Sequence, residues 1–192
     1  MLNKRKNALK EVLTDDDPQV REAASNALDQ LEGLSDLPQL LNQLATGDRA
    51  ARIAVVYALG KLQSNKIFIP LLETLKSKDP DLRTATVRIL GEKHHPKTLA
   101  PLVKAHEDPE VGVVTEIAIA LGKFQDPRLP KVLGSLIRRE EQVALAAIDS
   151  LGEIGYPEGE DSLLKALNDS RPALRSHAAR ALGKLGLSLS AE

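Results

Sequence analysis

Residues 48–62 read Asp48-Arg49-Ala50-Ala51-Arg52-Ile53-Ala54-Val55-Val56-Tyr57-Ala58-Leu59-Gly60-Lys61-Leu62. Apolar residues fall three and four apart, so the stretch predicts an amphipathic helix. It also recurs. Its Leu-Gly pair returns as Leu90-Gly91, Leu121-Gly122, Leu151-Gly152 and Leu182-Gly183. The leucines are separated by 31, 31, 30 and 31 residues. One step back lies Leu28, which ends Asp17-Pro18-Gln19-Val20-Arg21-Glu22-Ala23-Ala24-Ser25-Asn26-Ala27-Leu28. A fixed period in this range marks a stacked-repeat architecture, in which each unit buries its apolar face against its neighbours.

Each repeat carries a first helical segment before the Leu-Gly helix. Residues 1–14 open the series, with Leu9, Val12 and Leu13 on one face. Asp17-Pro18 starts the next helix, with Asp as N-cap and Pro at the first helical position, where its missing N–H costs nothing. Gly33 is expected to stop that helix. Ser35-Asp36-Leu37-Pro38 then opens a second unit with Leu40, Leu41 and Leu44 as its stripe. Later units open around Pro70-Leu71-Leu72, Pro101-Leu102-Val103, Pro130 to Ile137, and Leu163-Leu164 with Leu167. A short tail from Leu187 to Glu192 follows the last helix. The expected fold is all-α: a right-handed α-α superhelix, or solenoid, of six helical hairpins. The repeats run approximately 1–33, 34–64, 65–95, 96–125, 126–156 and 157–188. No linker interrupts them, so residues 1–192 read as a single domain.

With Leu28 and its equivalents as origin, positions −8, −4, −1 and +3 share one face at 100° per residue. Position −8 holds Val20, Ala51, Leu82, Val113, Val143 and Leu174. Position −4 holds Ala24, Val55, Thr86, Ile117, Ala147 and Ala178. Position −1 is mostly Ala, which lets backbones approach closely. Aromatics make up only 2% of the chain, so the core must be aliphatic.

The pattern Asp-Pro-x-Val-Arg-x-x-Ala-x-x-Ala-Leu at 17–28 resembles the HEAT repeat. The 31-residue length and the Ala-Leu-Gly-Lys-Leu ending at 58–62 are most similar to its short, phycobilisome-lyase-type subtype. The resemblance implies first helices on a convex face, second helices on a concave face, and an Asp–Arg ladder between repeats. Asp17, Asp48 and Asp79 match the acid of that ladder; Arg21, Arg52, Arg83 and Arg175 match the base. Val114 and Ala144 replace the Arg, and Arg171 replaces the last acid.

Composition excludes several chemistries. Cysteine is absent, so there are no disulfides, thiolate metal sites or Cys nucleophiles. The formal net charge of −1 leaves no electrostatic footprint for nucleic acid or anionic membrane. No apolar run reaches ~18 residues, so no membrane span is expected. The N-terminal residues lack the apolar core of a secretory signal, and a cytoplasmic protein is expected. No Gly-x-Ser-x-Gly elbow or Gly-rich phosphate loop occurs.

His94-His95-Pro96 reads as a turn, and His106-Glu107 ends a helix. A related HEAT-repeat family, deoxyhypusine hydroxylase, holds two irons through symmetric His-Glu pairs. This chain has the single pair His106-Glu107, outside the Leu-Gly helices, so no metal site, cofactor or catalytic residue is assigned. Acidic pairs such as Glu140-Glu141 and the cluster Glu158, Glu160 and Asp161 fall at repeat junctions, where they suit helix N-termini.

One surface departs from expectation. Positions −6, −2 and +2 of the second helices point away from the core. Ile53, Tyr57, Ile119 and Leu145 are apolar there. Arg88 shares position −2, and Lys61, Glu92, Lys123, Glu153 and Lys184 form a charged row of alternating sign at +2. An apolar strip rimmed by charge fits a protein-binding surface. The expected site is therefore Ile53, Tyr57, Arg88, Ile119, Leu145, Lys61 and Lys123, with Tyr57 as anchor and Arg88 contacting an acidic group on the partner. The expected function is a non-catalytic scaffold or adaptor for a protein partner. The subtype resemblance implies an alternative, an accessory or lyase-type subunit handling bilins on phycobiliproteins. A metal-dependent hydroxylase is the third reading.

Overall fold

The computed structural model describes residues 1–189, with side chains through Leu185. The expected tail lies partly in helix, since the last helix runs to Leu189; residues 190–192 fall outside the described part. Eleven α-helices and no strand are found among the described residues. They form two compact units, Met1–Pro70 and Leu71–Glu192.

The first unit holds α1 (Leu2–Val12), α2 (Pro18–Thr46), α3 (Arg49–Lys61) and the start of α4 (Phe68–Thr74). Asp17 caps α2 by accepting the Gln19 N–H at 2.7 Å, with Pro18 at the first position. The expected stop at Gly33 is absent. α2 runs 29 residues without a break, so the first two repeats share one helix. The reason is phase. Ala24, Leu28, Leu31, Leu34, Leu37, Leu41 and Leu44 keep an unbroken three-and-four spacing, and all are buried or half-buried. A glycine stops a helix where a left-handed turn is wanted, and no turn is wanted here. The side chain of Leu62 instead occupies the space beside Gly33. Pro38 lies inside the helix on its exposed side.

The second unit holds α5 (Pro80–Lys93), α6 (Pro96–Lys104), α7 (Val111–Leu121), α8 (Leu129–Leu136), α9 (Glu141–Ile154), α10 (Glu160–Ala166) and α11 (Pro172–Leu189). α5, α7, α9 and α11 pack side by side as one layer, and α6, α8 and α10 pack against it. Between the layers lie Leu82, Leu90, Leu102, Val113, Ile117, Leu121, Leu133, Val143, Leu151, Leu163 and Leu174, each 1% exposed or less. Each such burial contributes roughly 1.5–3 kcal/mol. Thr86 is polar at core position −4, but its hydroxyl donates to the Leu82 carbonyl at 2.7 Å. At position −8, Val20 departs from expectation: it is 37% exposed. Val113 and Val143 lie on helices flanked on both sides by second helices of neighbouring repeats; α2, the first of the series, has only α1 before it.

The repeating Leu-Gly pair has a structural cause. A Cβ on Gly91 would stand 2.6 Å from the Cβ of Ala120 and 3.0 Å from its Cα. Gly122 meets Ser150 in the same way, and Gly152 meets Ala181. The glycine of one repeat therefore packs on position −1 of the next, which must be small. Ser150 is accommodated because its hydroxyl donates to the Ala118 carbonyl at 2.8 Å. Close backbone approach, rather than helix termination, keeps these glycines. α9 instead ends at Gly155, the one described glycine with a left-handed φ, 71°.

The Asp–Arg ladder also takes a different form. Asp48 and Asp79 cap α3 and α5, as Asp17 caps α2. The carboxylate paired with Arg83 is Asp108, two residues before the expected position, through two 2.8 Å hydrogen bonds. Arg83 also donates to the Ser77 carbonyl, and Arg21 and Arg175 likewise donate to carbonyls of the turns before their helices. Arg171 stands where an acid is usual. It binds the carboxylate of Asp169 and reaches the carbonyls of Ile137 and Arg139 in the preceding repeat.

Candidate protein-binding face

In the second unit, positions −6, −2 and +2 of α5, α7, α9 and α11 lie on the layer's outer face. At −6, Thr84 and Thr115 fold their hydroxyls back on their own helices, to the carbonyls of Pro80 and Val111. Leu145 is half-buried at the same position of α9. At −2, Ile119 is 42% exposed, large for an aliphatic side chain on a packed helix. Lys123 follows just beyond the end of α7 and is exposed.

Two shallow grooves run between these helices. One, of about 410 Å³, lies between α7 and α9, lined by Ile119, Gly122, Lys123, Ala146, Asp149, Ser150 and Glu153. The other, of about 330 Å³, lies between α9 and α11, lined by Asp149, Glu153, His177, Arg180, Ala181 and Lys184.

Ion pairs tie successive helices across this face. Arg88 binds Glu116 at 2.8 Å, an intramolecular pair that the sequence reading did not include. Asp149 meets His177 Nδ1 at 2.7 Å, and Glu153 binds Lys184. The sequence reading did not use Glu116 or His177. A signal existed: Arg88 and Glu116, like Asp149 and His177, are 28 residues apart. Position −2 of one helix thus reaches position −5 of the next.

The first unit carries the rest of the expected site on α3. Ile53 is half-buried, Tyr57 is 38% exposed and Lys61 is exposed. The Gln30 side-chain amide holds the end of that helix, donating to the Lys61 carbonyl at 3.1 Å and accepting the Gln63 N–H at 2.9 Å. The sequence reading missed Ile69, 75% exposed, and Leu164, 45% exposed, on first-helix segments.

The histidines have local duties. Nδ1 of His106 lies 2.7 Å from the Val103 carbonyl, Nδ1 of His94 lies 3.0 Å from the Glu92 carbonyl, and Nδ1 of His95 accepts the Lys97 N–H. Among the described residues, no group of three or more His, Cys, Asp or Glu is placed to hold a metal ion. No helix among them is long and apolar enough to cross a membrane. Two carboxylates titrate abnormally. The Arg128 guanidinium and backbone N–H hold Asp126 down to about 2, and those of Arg171 do the same for Asp169. Both are explained by these local pairs, without a reaction.

Comparison with known proteins fits this architecture. HEAT repeats match over residues 68–142 and 130–192, and a HEAT repeat matches residues 7–32. The chain belongs to the HEAT-repeat family. Several solved structures share the helical-repeat fold seen here. The complex of CpcE and CpcF of phycocyanin lyase from Nostoc sp. PCC7120 aligns with a TM-score of 0.63 at 19% identity, covering 78% of this chain and 99% of that one. The Escherichia coli protein YibA aligns with a TM-score of 0.65 at 20% identity, over 98% of this chain and 76% of that one. A designed armadillo repeat protein in complex with the peptide (KR)4 aligns with a TM-score of 0.55 at 16% identity, over 93% and 98% of the two chains. No curated protein matches this chain.

Proposed function

We propose that this HEAT-repeat protein is a non-catalytic scaffold or adaptor, and that the outer face of α7, α9 and α11 receives a segment of a protein partner. One observation carries the reading: Ile119 is exposed in a groove whose rim is charged. Packing does not require an isoleucine there, and an apolar floor inside a polar rim is the usual anatomy of a protein interface. The designed armadillo repeat protein in complex with the peptide (KR)4 supports the general mode, a repeat protein that binds a peptide. The exposed Tyr57 on α3 is proposed as a separate contact point of the first unit, together with Ile53 and Lys61. Arg88 and Leu145 flank the face as supporting residues. The same proposal treats residues 1–192 as one repeat domain working in the cytoplasm. The likeness to CpcE and CpcF extends to the fold, and no residue of this face favours a bilin over a peptide.

Affinity capture with the parent, Ile119→Glu and Leu164→Glu tests the proposal. A partner retained by the parent and by Leu164→Glu, and lost with Ile119→Glu, supports it. A partner lost only with Leu164→Glu moves the site to the first-helix layer.

A further inference from the structure

We infer that the segment received by α7, α9 and α11 is extended and acidic, with aliphatic residues between its acids; the inference rests on the protein-binding reading above. Charge accounting on the face selects the sign. Asp149 shares a hydrogen bond with His177, which offsets its charge only when the imidazole is protonated, and Glu153 is taken up by Lys184. Glu116 is taken up by Arg88. Lys123 and Arg180 are exposed and enter no ion pair among the described residues; two such cations against the one carboxylate of Asp149 leave this face with a positive balance. Unpaired cations beside an apolar floor attract carboxylates and repel lysines, which selects the partner and steers its approach.

Geometry sets the length. Lys123 and Ile119 belong to the α7 end and Arg180 to α11, two helix spacings away. Packed helices lie ~8–10 Å apart, so the span is roughly 16–20 Å. An extended chain advances ~3.3 Å per residue and turns alternate side chains to one side, so about six residues separate the two acids, with two aliphatic side chains between them facing the grooves. Those side chains meet Ile119, Ala146 and Ala181. Glu92 on α5 has the opposite sign and would repel an acidic segment that continued past α7. The bound stretch therefore ends there. The (KR)4 peptide of the armadillo protein is basic, but at 16% identity that likeness carries the fold and no charge.

Fluorescence anisotropy on the full chain tests this with two capped seven-residue probes carrying a zwitterionic dye. One has glutamate at its first and last positions, leucine at the third and fifth, and serine elsewhere; the other has lysine in place of glutamate. Ile119, Lys123 and Arg180 are exposed, so Ile119→Ser and the double variant Lys123→Glu/Arg180→Glu should keep the parent's circular dichroism. The expected result is binding of the glutamate probe about tenfold tighter than the lysine probe. The double variant should reverse that preference, and Ile119→Ser should weaken both probes. Equal binding of the two probes, or a preference the double variant does not move, overturns the acidic segment; loss of binding in Ile119→Ser would then leave the face itself standing. If Ile119→Ser binds like the parent, the face reading falls too. Failure of both probes to bind at millimolar concentration overturns the extended acidic segment.

Discussion

At the residue scale, Gly91, Gly122 and Gly152 of the Leu-Gly pairs are spacing devices. Each lets the backbone of one second helix touch position −1 of the next, as Gly91 touches Ala120. Gly183 has the same place in its repeat, yet a Cβ there would meet nothing within 4 Å. The two positions should therefore respond oppositely. Gly91→Ala should lower stability by about 1–3 kcal/mol, the cost of overpacking against backbone atoms that cannot swing aside. Gly183→Ala should be neutral or stabilise by up to about 1 kcal/mol, because alanine is the better helix former. Urea unfolding midpoints measure both. A neutral Gly91→Ala would show that the contact is looser than described.

At the element scale, the helices were legible wherever hydrophobic phase alone decides. Leu90, Leu121 and Leu151 are fully buried, as their place in the period predicts. The N-cap at Asp17 was equally legible, since a capping carboxylate needs only its own next residues; Asp48 and Asp79, expected as ladder acids, cap their helices in the same way. Gly33 misled because a glycine has two uses, stopping a helix or admitting a neighbour, and the unbroken leucine phase across it was the deciding signal. The ion pairs Arg88–Glu116 and Asp149–His177 were harder to see, because they depend on the angle between successive helices, which a single-helix wheel does not contain. The layer assignment gives a direct contrast. Leu90→Ala should cost about 2–5 kcal/mol, as core truncations do. Ile119→Ala, on the outer face, should cost less than about 1 kcal/mol. Equal losses in urea unfolding would mean that Ile119 belongs to the core.

At the scale of the whole molecule, the proposed function draws stability and recognition from opposite sides of the same helices. In the second unit, the inner side of α7 and α9 is spent on Val113, Ile117, Leu121, Val143, Ala147 and Leu151, all fully or almost fully buried. The outer side is thereby released from packing and is free to carry Ile119, Lys123 and the charged rows. That division lets a chain with 2% aromatic residues and no cysteine hold its fold while leaving the proposed binding surface free of packing duty. Its central claim is that the outer face, and not the first-helix layer, meets the partner. Site-specific photo-crosslinking measures this most directly, with a benzophenone amino acid placed at Ile119 in one variant and at Leu164 in another, both exposed positions. The account predicts a crosslinked partner from position 119 that an excess of unlabelled parent competes away, and none from position 164. Crosslinks from position 164 alone would contradict it.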